Sequence, residues 1–182
     1  TGSSSGAISI VRMSGENAVK IADQMFFTRK NLKASDLTPR MLTLGTVSTA
    51  TFKEQAMCVV FKAPHTYTGE DLVEFQCHGG TQIANGITKE CLKLGARLAT
   101  NGEFTKRAFL NGRMDLSQAE AVIDVINSKN EYALKSSVSQ LKGNVQKKIK
   151  EVREEIIYHT AFIETALDDP EHISVDGYGE KL

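Results

Sequence analysis

The sequence predicts an α+β protein, with a mixed α/β part in residues 1–115 followed by the long helices of an all-α part in residues 116–182. Two patterns predict this division. Up to residue 115, short β-branched runs with alternating apolar residues are separated by polar turns, whereas beyond it apolar residues recur every three or four positions. A hydrophobic content of 41% against 24% charged residues is typical of a globular chain and argues against disorder.

The first elements of the α/β part follow from the apolar spacing. Residues 7–13, AISIVRM, alternate and predict a strand, and the helical spacing that follows predicts a helix with Ser14 as its N-cap. The polar stretch 28–40 ends in Thr-Pro-Arg and predicts a loop. Residues 41–49 and 55–63 predict a strand pair that is joined by the polar turn ATFKE.

A further strand, DLVEFQC at residues 71–77, contains a carboxylate within an apolar run. Alternation divides its side chains between two faces, with Leu72, Glu74 and Gln76 on one face and Val73, Phe75 and Cys77 on the other. Gly79-Gly80 ends this strand, and residues 81–95 predict a helix that stops at a glycine. ARLAT, residues 96–100, predicts a short strand, and residues 102–112 predict a short helix.

The all-α part begins with a predicted helix at residues 117–128, whose inner face is expected to hold Ala119, Val122, Ile123 and Ile126. An apolar stripe then runs from Leu134 to Leu167 with no proline before Pro170, which predicts one long helix of roughly 50 Å at 1.5 Å per residue. The stripe resembles a coiled-coil seam with an extra four-residue step at Ile149. It is too long for the preceding part to cover, so we expect the chain to be the N-terminal piece of a larger protein.

Charge and cysteine content exclude several classes of protein. Basic and acidic residues are both 22 in number, so the net charge gives no indication of a polyanionic partner, although residues 1–115 carry a net +4 and residues 116–182 a net −4. Three cysteines without a C-x-x-C pair argue against a disulfide framework and a zinc cluster, and predict a cytoplasmic protein. No apolar run is long enough to span a membrane.

The stretch TYTGEDLVEFQCHGG, residues 66–80, contains residue types that would suit a nucleophile site, a metal site or a ligand-binding site. Cys77 and His78 are adjacent on a strand and point to opposite faces, which argues against a catalytic pair and favours a buried structural cysteine. His65 and His78 lack the further ligands that a metal site requires. The HGG sequence before a helix is typical of an anion-binding turn and equally of an ordinary strand-to-helix turn.

Three charged residues stand out because of their positions. Glu74 interrupts an apolar strand, so it lies either on the exposed face of a half-solvated sheet or in a pocket where it accepts paired N–H donors of a ligand. Arg12 closes the apolar run ISIV in a similar way. Arg113 lies in the turn NGRMD, where a solvated side chain is the usual outcome.

Four segments of the chain carry a resemblance to a known family. AISIVRMSG, TYTGEDLVEFQCHGG, GEFTKRAFLNGRMDLSQAEAV and DDPEHI occur in the order and spacing of the MnmE family, also called TrmE, of tRNA-modification GTPases. The resemblance implies an aminomethyltransferase-like tetrahydrofolate-binding and dimerisation domain up to about residue 115, followed by the first part of a helical domain. It also implies a homodimer formed through the first domain.

The resemblance places the family's ligand positions on Arg12, Glu74 and Arg113. The implied cofactor is a 5-formyl- or 5,10-methylene-tetrahydrofolate. One carboxylate such as Glu74 can accept two parallel N–H groups from a pterin, and a guanidinium suits the carboxylates of the folate tail. Two departures are visible, because many relatives have lysine at the position of Arg113 and because the opening TGSSSGA differs from the usual TPxGxGA.

The family activity that the resemblance implies is the addition of a carboxymethylaminomethyl group at C5 of the wobble uridine of certain tRNAs, together with the flavoprotein MnmG (GidA). GTP, potassium and magnesium belong to a G domain, and no G-x-x-x-x-G-K-[ST] sequence occurs in these 182 residues. We therefore expect no catalytic residue, no metal site and no GTP hydrolysis in this chain. Two alternatives stay open: a standalone folate-dependent aminomethyltransferase-like protein, and a dimerisation and tRNA-docking module without catalysis.

Overall fold

A computed structural model describes residues 6–174 and 176–180 of the chain. The described residues form two compact units that divide between Met114 and Asp115. The first unit contains a five-stranded sheet and three α-helices, and the second contains three α-helices. This arrangement confirms the predicted α+β fold class. None of the described helices combines the length and hydropathy that are needed to cross a lipid bilayer.

The sheet of the first unit is antiparallel throughout. Its strands are β1 (Ile8–Ser14), β2 (Phe26–Phe27), β3 (Thr43–Ser48), β4 (Lys53–Phe61) and β5 (Leu72–His78), in the spatial order β1-β5-β4-β3-β2. The strand that comes first in the sequence therefore lies at one edge, beside the strand that comes last. This pairing brings the two strands with unexpected charges, β1 and β5, into direct contact.

One face of the sheet forms the core with two helices, α1 (Ala18–Met25) and α2 (Thr81–Lys93). The apolar residues of β5 that alternation places together are Val73, Phe75 and Cys77, and all three are buried in this core. The Phe75 ring stacks on Phe26 with a centroid distance of 6.0 Å. The third helix of the unit, α3 (Glu103–Leu110), follows α2 in the chain.

Two local expectations in the first unit are wrong. Ser14 does not cap a helix: it is the last residue of β1, and α1 begins at Ala18 after Asn17. The Ser14 hydroxyl instead bonds to Thr68 and Glu70, and this competing contact takes it away from the helix. Residues 96–100 form no strand, because the Ala96 N–H closes the end of α2 on the Cys91 carbonyl and the segment pairs with no strand of the sheet.

The second unit corrects the expectation of one long helix. It consists of α4 (Leu116–Asn127), α5 (Glu131–Leu141) and α6 (Asn144–Asp168), and the break falls at Gly143, whose φ of 79° is left-handed. Glycine adopts this conformation without the steric cost that other residues incur. The Gln118 side chain donates to the Leu141 carbonyl at 2.9 Å, and this bond satisfies an acceptor that the end of α5 leaves free.

The apolar faces of the second unit are only partly covered by its described residues. The inner face expected for α4 is wrong, because Ile123 and Ile126 are exposed and the buried position of that helix is Ala121. On α6, Ile149 and Ile156 are also exposed. The stripe that the sequence contains therefore finds no partner within the described part of this unit.

Candidate functional site: an ion pair beneath two aromatic rings

Arg12 and Glu74 are directly opposite each other in the register of β1 and β5. Arg12 Nε donates to Glu74 Oε1 at 2.6 Å, and Arg12 Nη2 lies 2.5 Å from the same oxygen. The Glu74 side chain is 11% exposed and that of Arg12 is 41% exposed. This burial excludes the alternative in which Glu74 lies on an exposed sheet face, and it leaves the carboxylate in a protected position.

The position of Glu74 follows from the sheet. β5 has a neighbour on each side, so Glu74 has Arg12 on one side and Val59 on the other. A buried carboxylate without a partner is strongly unfavourable, and the guanidinium of Arg12 offsets this desolvation. Among the described residues, no side-chain hydrogen bond reaches Glu74 Oε2. One oxygen of the carboxylate is thus held in place while the other can accept a further donor.

Two aromatic rings lie near the guanidinium of Arg12. The centroid of the Tyr67 ring is 5.9 Å from Arg12 Cζ and that of the Phe104 ring is 5.7 Å away. Both distances are within the range of a cation–π contact. The sequence patterns did not single out either ring, although each lies inside one of the two long motifs.

The two motifs meet in space. The 66–70 loop, TYTGE, lies along α3 and the turn after it. Four side-chain contacts join them: Arg113 Nε to the Thr66 carbonyl (3.0 Å), Tyr67 Oη to Thr105 Oγ1 (2.9 Å), Asn111 Nδ2 to the Thr68 carbonyl (2.7 Å) and Arg107 Nη1 to Glu70 (2.9 Å). Arg113 therefore contacts the loop that carries Tyr67, whereas Arg12 and Glu74 contact each other.

Glu103, at the start of α3, is surrounded by hydrogen-bond donors. Arg97 donates to both of its oxygens, at 2.5 and 2.9 Å, the Thr100 N–H donates at 2.9 Å, and Arg107 donates through Nε and Nη2. The bonds from Arg97, followed by those from Thr100 and Arg107, hold the pKa of Glu103 well below its usual range. Hydrogen bonds from Arg107 to Glu70 and then to Glu103 raise the pKa of that guanidinium.

A cavity of about 1,070 Å³ lies beside β1 in the first unit. It is lined by residues of β1, by parts of α1, α2 and α3, and by the segment that links the last two. Its charged residues are Arg12, Arg97 and Arg107 together with Glu16, Glu70, Asp71 and Glu103. Because these charges nearly balance, the cavity does not favour anions by its net charge alone. Arg12 is the predicted ligand residue that lines it.

Cys77 is a buried structural residue, as the strand alternation predicted. It is 3% exposed on the core face, and burial raises the pKa of its thiol. His78 points away from that face and contacts Glu54. A thiol held neutral and separated from the imidazole cannot act with it as a nucleophile and base.

Gly79, the first residue after β5, is required by the packing of the chain. The Gly79 N–H donates to the Ala7 carbonyl, and a Cβ atom on Gly79 would collide with the backbone oxygen of Gly6. One of the N–H groups that an anion-binding turn would use is therefore already bonded, which favours the ordinary strand-to-helix turn. Within residues 6–174 and 176–180, no group of three or more His, Cys, Asp or Glu side chains is arranged to hold a metal ion.

Comparison with known proteins gives consistent matches along the whole chain. Residues 1–113 match the family described as GTP-binding protein TrmE N-terminus, and residues 116–181 match the MnmE helical domain. A tRNA modification GTPase MnmE of Lachnoclostridium phytofermentans is 51% identical over 184 residues, which is 100% of this chain and 40% of that protein.

Two further relatives give the same result. The MnmE proteins of Caldicellulosiruptor saccharolyticus and Geobacillus kaustophilus are 46% and 43% identical, over 92% and 97% of this chain and 37% and 39% of their own lengths. The chain thus spans about two fifths of the curated relatives that it matches.

Proposed function

Because the chain belongs to the MnmE family of tRNA modification GTPases, we propose that its first unit binds a reduced folate, with Glu74 holding the pterin. The cofactor we propose is a 5-formyl- or 5,10-methylene-tetrahydrofolate. The observation that carries this proposal is the burial of Glu74 with one oxygen bonded to Arg12. A carboxylate that is fixed in this way has little side-chain freedom left to lose on binding.

The chemistry of a reduced pterin suits this carboxylate. The amino-pyrimidinone edge presents adjacent N–H donors, and Glu74 Oε2, which receives no hydrogen bond from Arg12, has acceptor sites for them. Hydrogen bonds to an ionised acceptor are stronger than neutral ones, and burial reduces the competition from water. Tyr67 and Phe104 add flat apolar surface beside Arg12, which favours a planar ring over a flexible polar ligand.

Arg113 is proposed to meet the carboxylates of the folate tail. Its Nε is bonded to the Thr66 carbonyl, which orients the side chain. In the described part of the chain its two terminal nitrogens have no hydrogen-bonded acceptor, so both can donate to a ligand carboxylate. A lysine at this position would keep the charge but lose the hydrogen bond from Nε. An arginine can be oriented by the Thr66 carbonyl and still donate to a ligand carboxylate through its terminal nitrogens.

We propose that the whole protein uses this one-carbon unit with the flavoprotein MnmG (GidA) to modify the wobble uridine of certain tRNAs in the cytoplasm. The names of the relatives describe them as tRNA modification GTPases, and this chain covers about two fifths of their length. GTP hydrolysis with potassium and magnesium is assigned to the rest of the protein. This chain contains no phosphate-binding lysine loop and is proposed not to hydrolyse GTP.

A titration with two ligands tests the proposal. Calorimetry of the 182-residue chain with 5-formyl-tetrahydrofolate should give saturable binding, and tRNA should bind more weakly. Binding of tRNA without any folate binding would favour the alternative of a docking module and contradict the folate proposal. The match of residues 116–181 to the helical domain of the same family argues against a standalone aminomethyltransferase.

We also propose that the chain forms a homodimer through its first unit. The extra four-residue step at Ile149 and the polar His159, both within α6, disfavour a regular two-stranded coil between the α6 helices of two copies. Sedimentation of a chain that ends at Asp115 should give the mass of a dimer. A strictly monomeric first unit beside a dimeric 182-residue chain would place the contact in the second unit.

A further inference from the structure

We propose that Arg107 is a positioning residue, which holds the 66–70 loop and α3 at the spacing that places Tyr67 and Phe104 beside Arg12. Two measurements test this inference, and only the second, the affinity for a reduced folate, rests on the proposed function. Arg107 is distant in sequence from Arg12 and Tyr67, and the sequence patterns did not single it out. Its role follows from the bonds that its guanidinium makes in two directions.

The guanidinium of Arg107 joins two carboxylates on different elements. Nη1 donates to both oxygens of Glu70, at 3.1 and 2.9 Å, on the 66–70 loop. Nε and Nη2 donate to Glu103 Oε1 at 3.0 and 2.9 Å, at the first turn of α3. Arg107 and Glu103 both lie on α3, so the bonds to Glu103 fix the orientation of the guanidinium, and the bonds to Glu70 join the loop to the helix.

Glu70 extends this connection to β1. The Ser14 hydroxyl donates to Glu70 Oε2 at 2.9 Å and lies 2.6 Å from Thr68 Oγ1, and Thr68 is fully buried. Ser14 is two residues after Arg12, so its side chain lies on the same face of the strand. Through Glu70, Arg107 is thus connected to β1, the strand that carries Arg12.

The rings beside Arg12 sit next to the residues that Arg107 binds. Tyr67 is three residues before Glu70 on the loop, and Phe104 directly follows Glu103. Their centroids lie 5.9 and 5.7 Å from Arg12 Cζ, close to the limit of about 6 Å for a cation–π contact. A small change in the spacing of loop and helix would therefore alter the contacts of the Arg12 guanidinium.

A lysine could not perform the same role. Arginine presents five N–H donors in a rigid plane, whereas the lysine ammonium is a compact charge on a flexible stem. At the position of Arg107, lysine could bind Glu70 or Glu103 but could not fix the distance between them. Arg107→Lys therefore removes the geometry and keeps the charge, which separates positioning from simple charge balance.

The first readout needs no ligand. The Nε–H resonance of Arg12 in a proton–nitrogen correlation spectrum reports the nearby rings and the bond to Glu74. We expect this resonance to move in Arg107→Lys and Arg107→Met, and to stay in place in Lys106→Met, which removes an exposed cation from the same helix. If Arg107→Met fails to fold, Arg107→Lys and Glu70→Gln carry the test. An unchanged Arg12 resonance in folded Arg107→Lys would overturn the inference.

The second readout is the affinity for 5-formyl-tetrahydrofolate. We expect Arg107→Lys to weaken binding about tenfold, the size typical of coupling between contacting residues. If Arg107 acts through Glu70, its effect and that of Glu70→Gln should be non-additive in the double variant. Fully additive effects on both readouts would contradict the inference. If the wild-type chain binds no folate, the proposed function fails, and the Arg12 resonance still decides whether Arg107 positions the rings.

Discussion

Arg12 and Glu74 face each other across the β1–β5 ladder, and two nitrogens of Arg12 lie within 2.6 Å of the same oxygen of Glu74. The two members of this pair are not equivalent. The Glu74 side chain is 11% exposed, whereas that of Arg12 is 41% exposed and lies against the Tyr67 and Phe104 rings. Removing one partner therefore has a different effect from removing the other.

Arg12→Met should reduce the stability of the chain more than Glu74→Gln does. Without Arg12 the buried Glu74 carboxylate has no cationic partner, and a lost hydrogen bond to a charged group costs about 1.5–3 kcal/mol. In Glu74→Gln, the amide oxygen can still accept from Arg12, and the half-exposed guanidinium can also reach water. Urea unfolding of both variants measures the difference. A larger loss of unfolding free energy for Glu74→Gln would contradict this view of the pair.

The stability of the first unit should depend on the ionisation of Glu103. Bonds from Arg97, Thr100 and Arg107 lower the pKa of Glu103 from an ordinary value of 4.5. Because the pKa is lowered in the folded state, the contribution of this carboxylate is complete above its unfolded pKa and is lost as the pH falls toward the folded pKa.

The variant Glu103→Gln shows this dependence directly. Its deficit in unfolding free energy relative to the wild type should be constant above about pH 6 and shrink below about pH 4.5. Urea unfolding across that range, with Glu131→Gln as an exposed control carboxylate in the second unit, measures the deficit. A deficit that stays the same at every pH would show that the Glu103 bonds do not depend on its charge.

The three cysteines should resist thiol reagents in the folded chain. Burial raises the pKa of Cys58 to about 12 and that of Cys91 to about 11, and it also raises the pKa of the Cys77 thiol. Because thiolates are the reactive species, labelling at pH 8 should be slow until the chain unfolds in denaturant. Cys77→Ala should remain folded and keep its affinity for reduced folate. Rapid native labelling, or loss of binding in folded Cys77→Ala, would restore a chemical role for this thiol.

The sequence predicts β1, β3, β4 and β5 because alternation depends on local burial, and it does not predict the two-residue strand β2. It does not predict which side chain lies opposite Glu74, because Arg12 is 62 residues away and on a different strand. The same holds for Tyr67 and Phe104, which become neighbours of Arg12 only when the 66–70 loop packs along α3. The site is an outcome of strand order and loop packing, and neither is visible in periodicity.

Two of the wrong expectations, a strand at residues 96–100 and one long helix through Gly143, have a related cause. Residues 96–100 have the composition of a strand, but a strand must pair with a neighbouring strand, and the turn at the end of α2 leaves this segment unpaired with the sheet. Gly143 lies in a helical pattern that continues on both sides. The helix breaks there because the Gln118 amide accommodates the end of α5, a contact between residues 23 positions apart.

The most direct test of the account is whether Glu74 holds a reduced folate. Calorimetry with 5-formyl-tetrahydrofolate should compare the wild-type chain with Glu74→Ala, and with Glu54→Gln as a control carboxylate that pairs with His78. We predict that Glu74→Ala costs about 1.5–3 kcal/mol of binding free energy, which is roughly ten- to a hundredfold in affinity, and that Glu54→Gln changes little. A folded Glu74→Ala variant that binds with the affinity of the wild type would contradict the account.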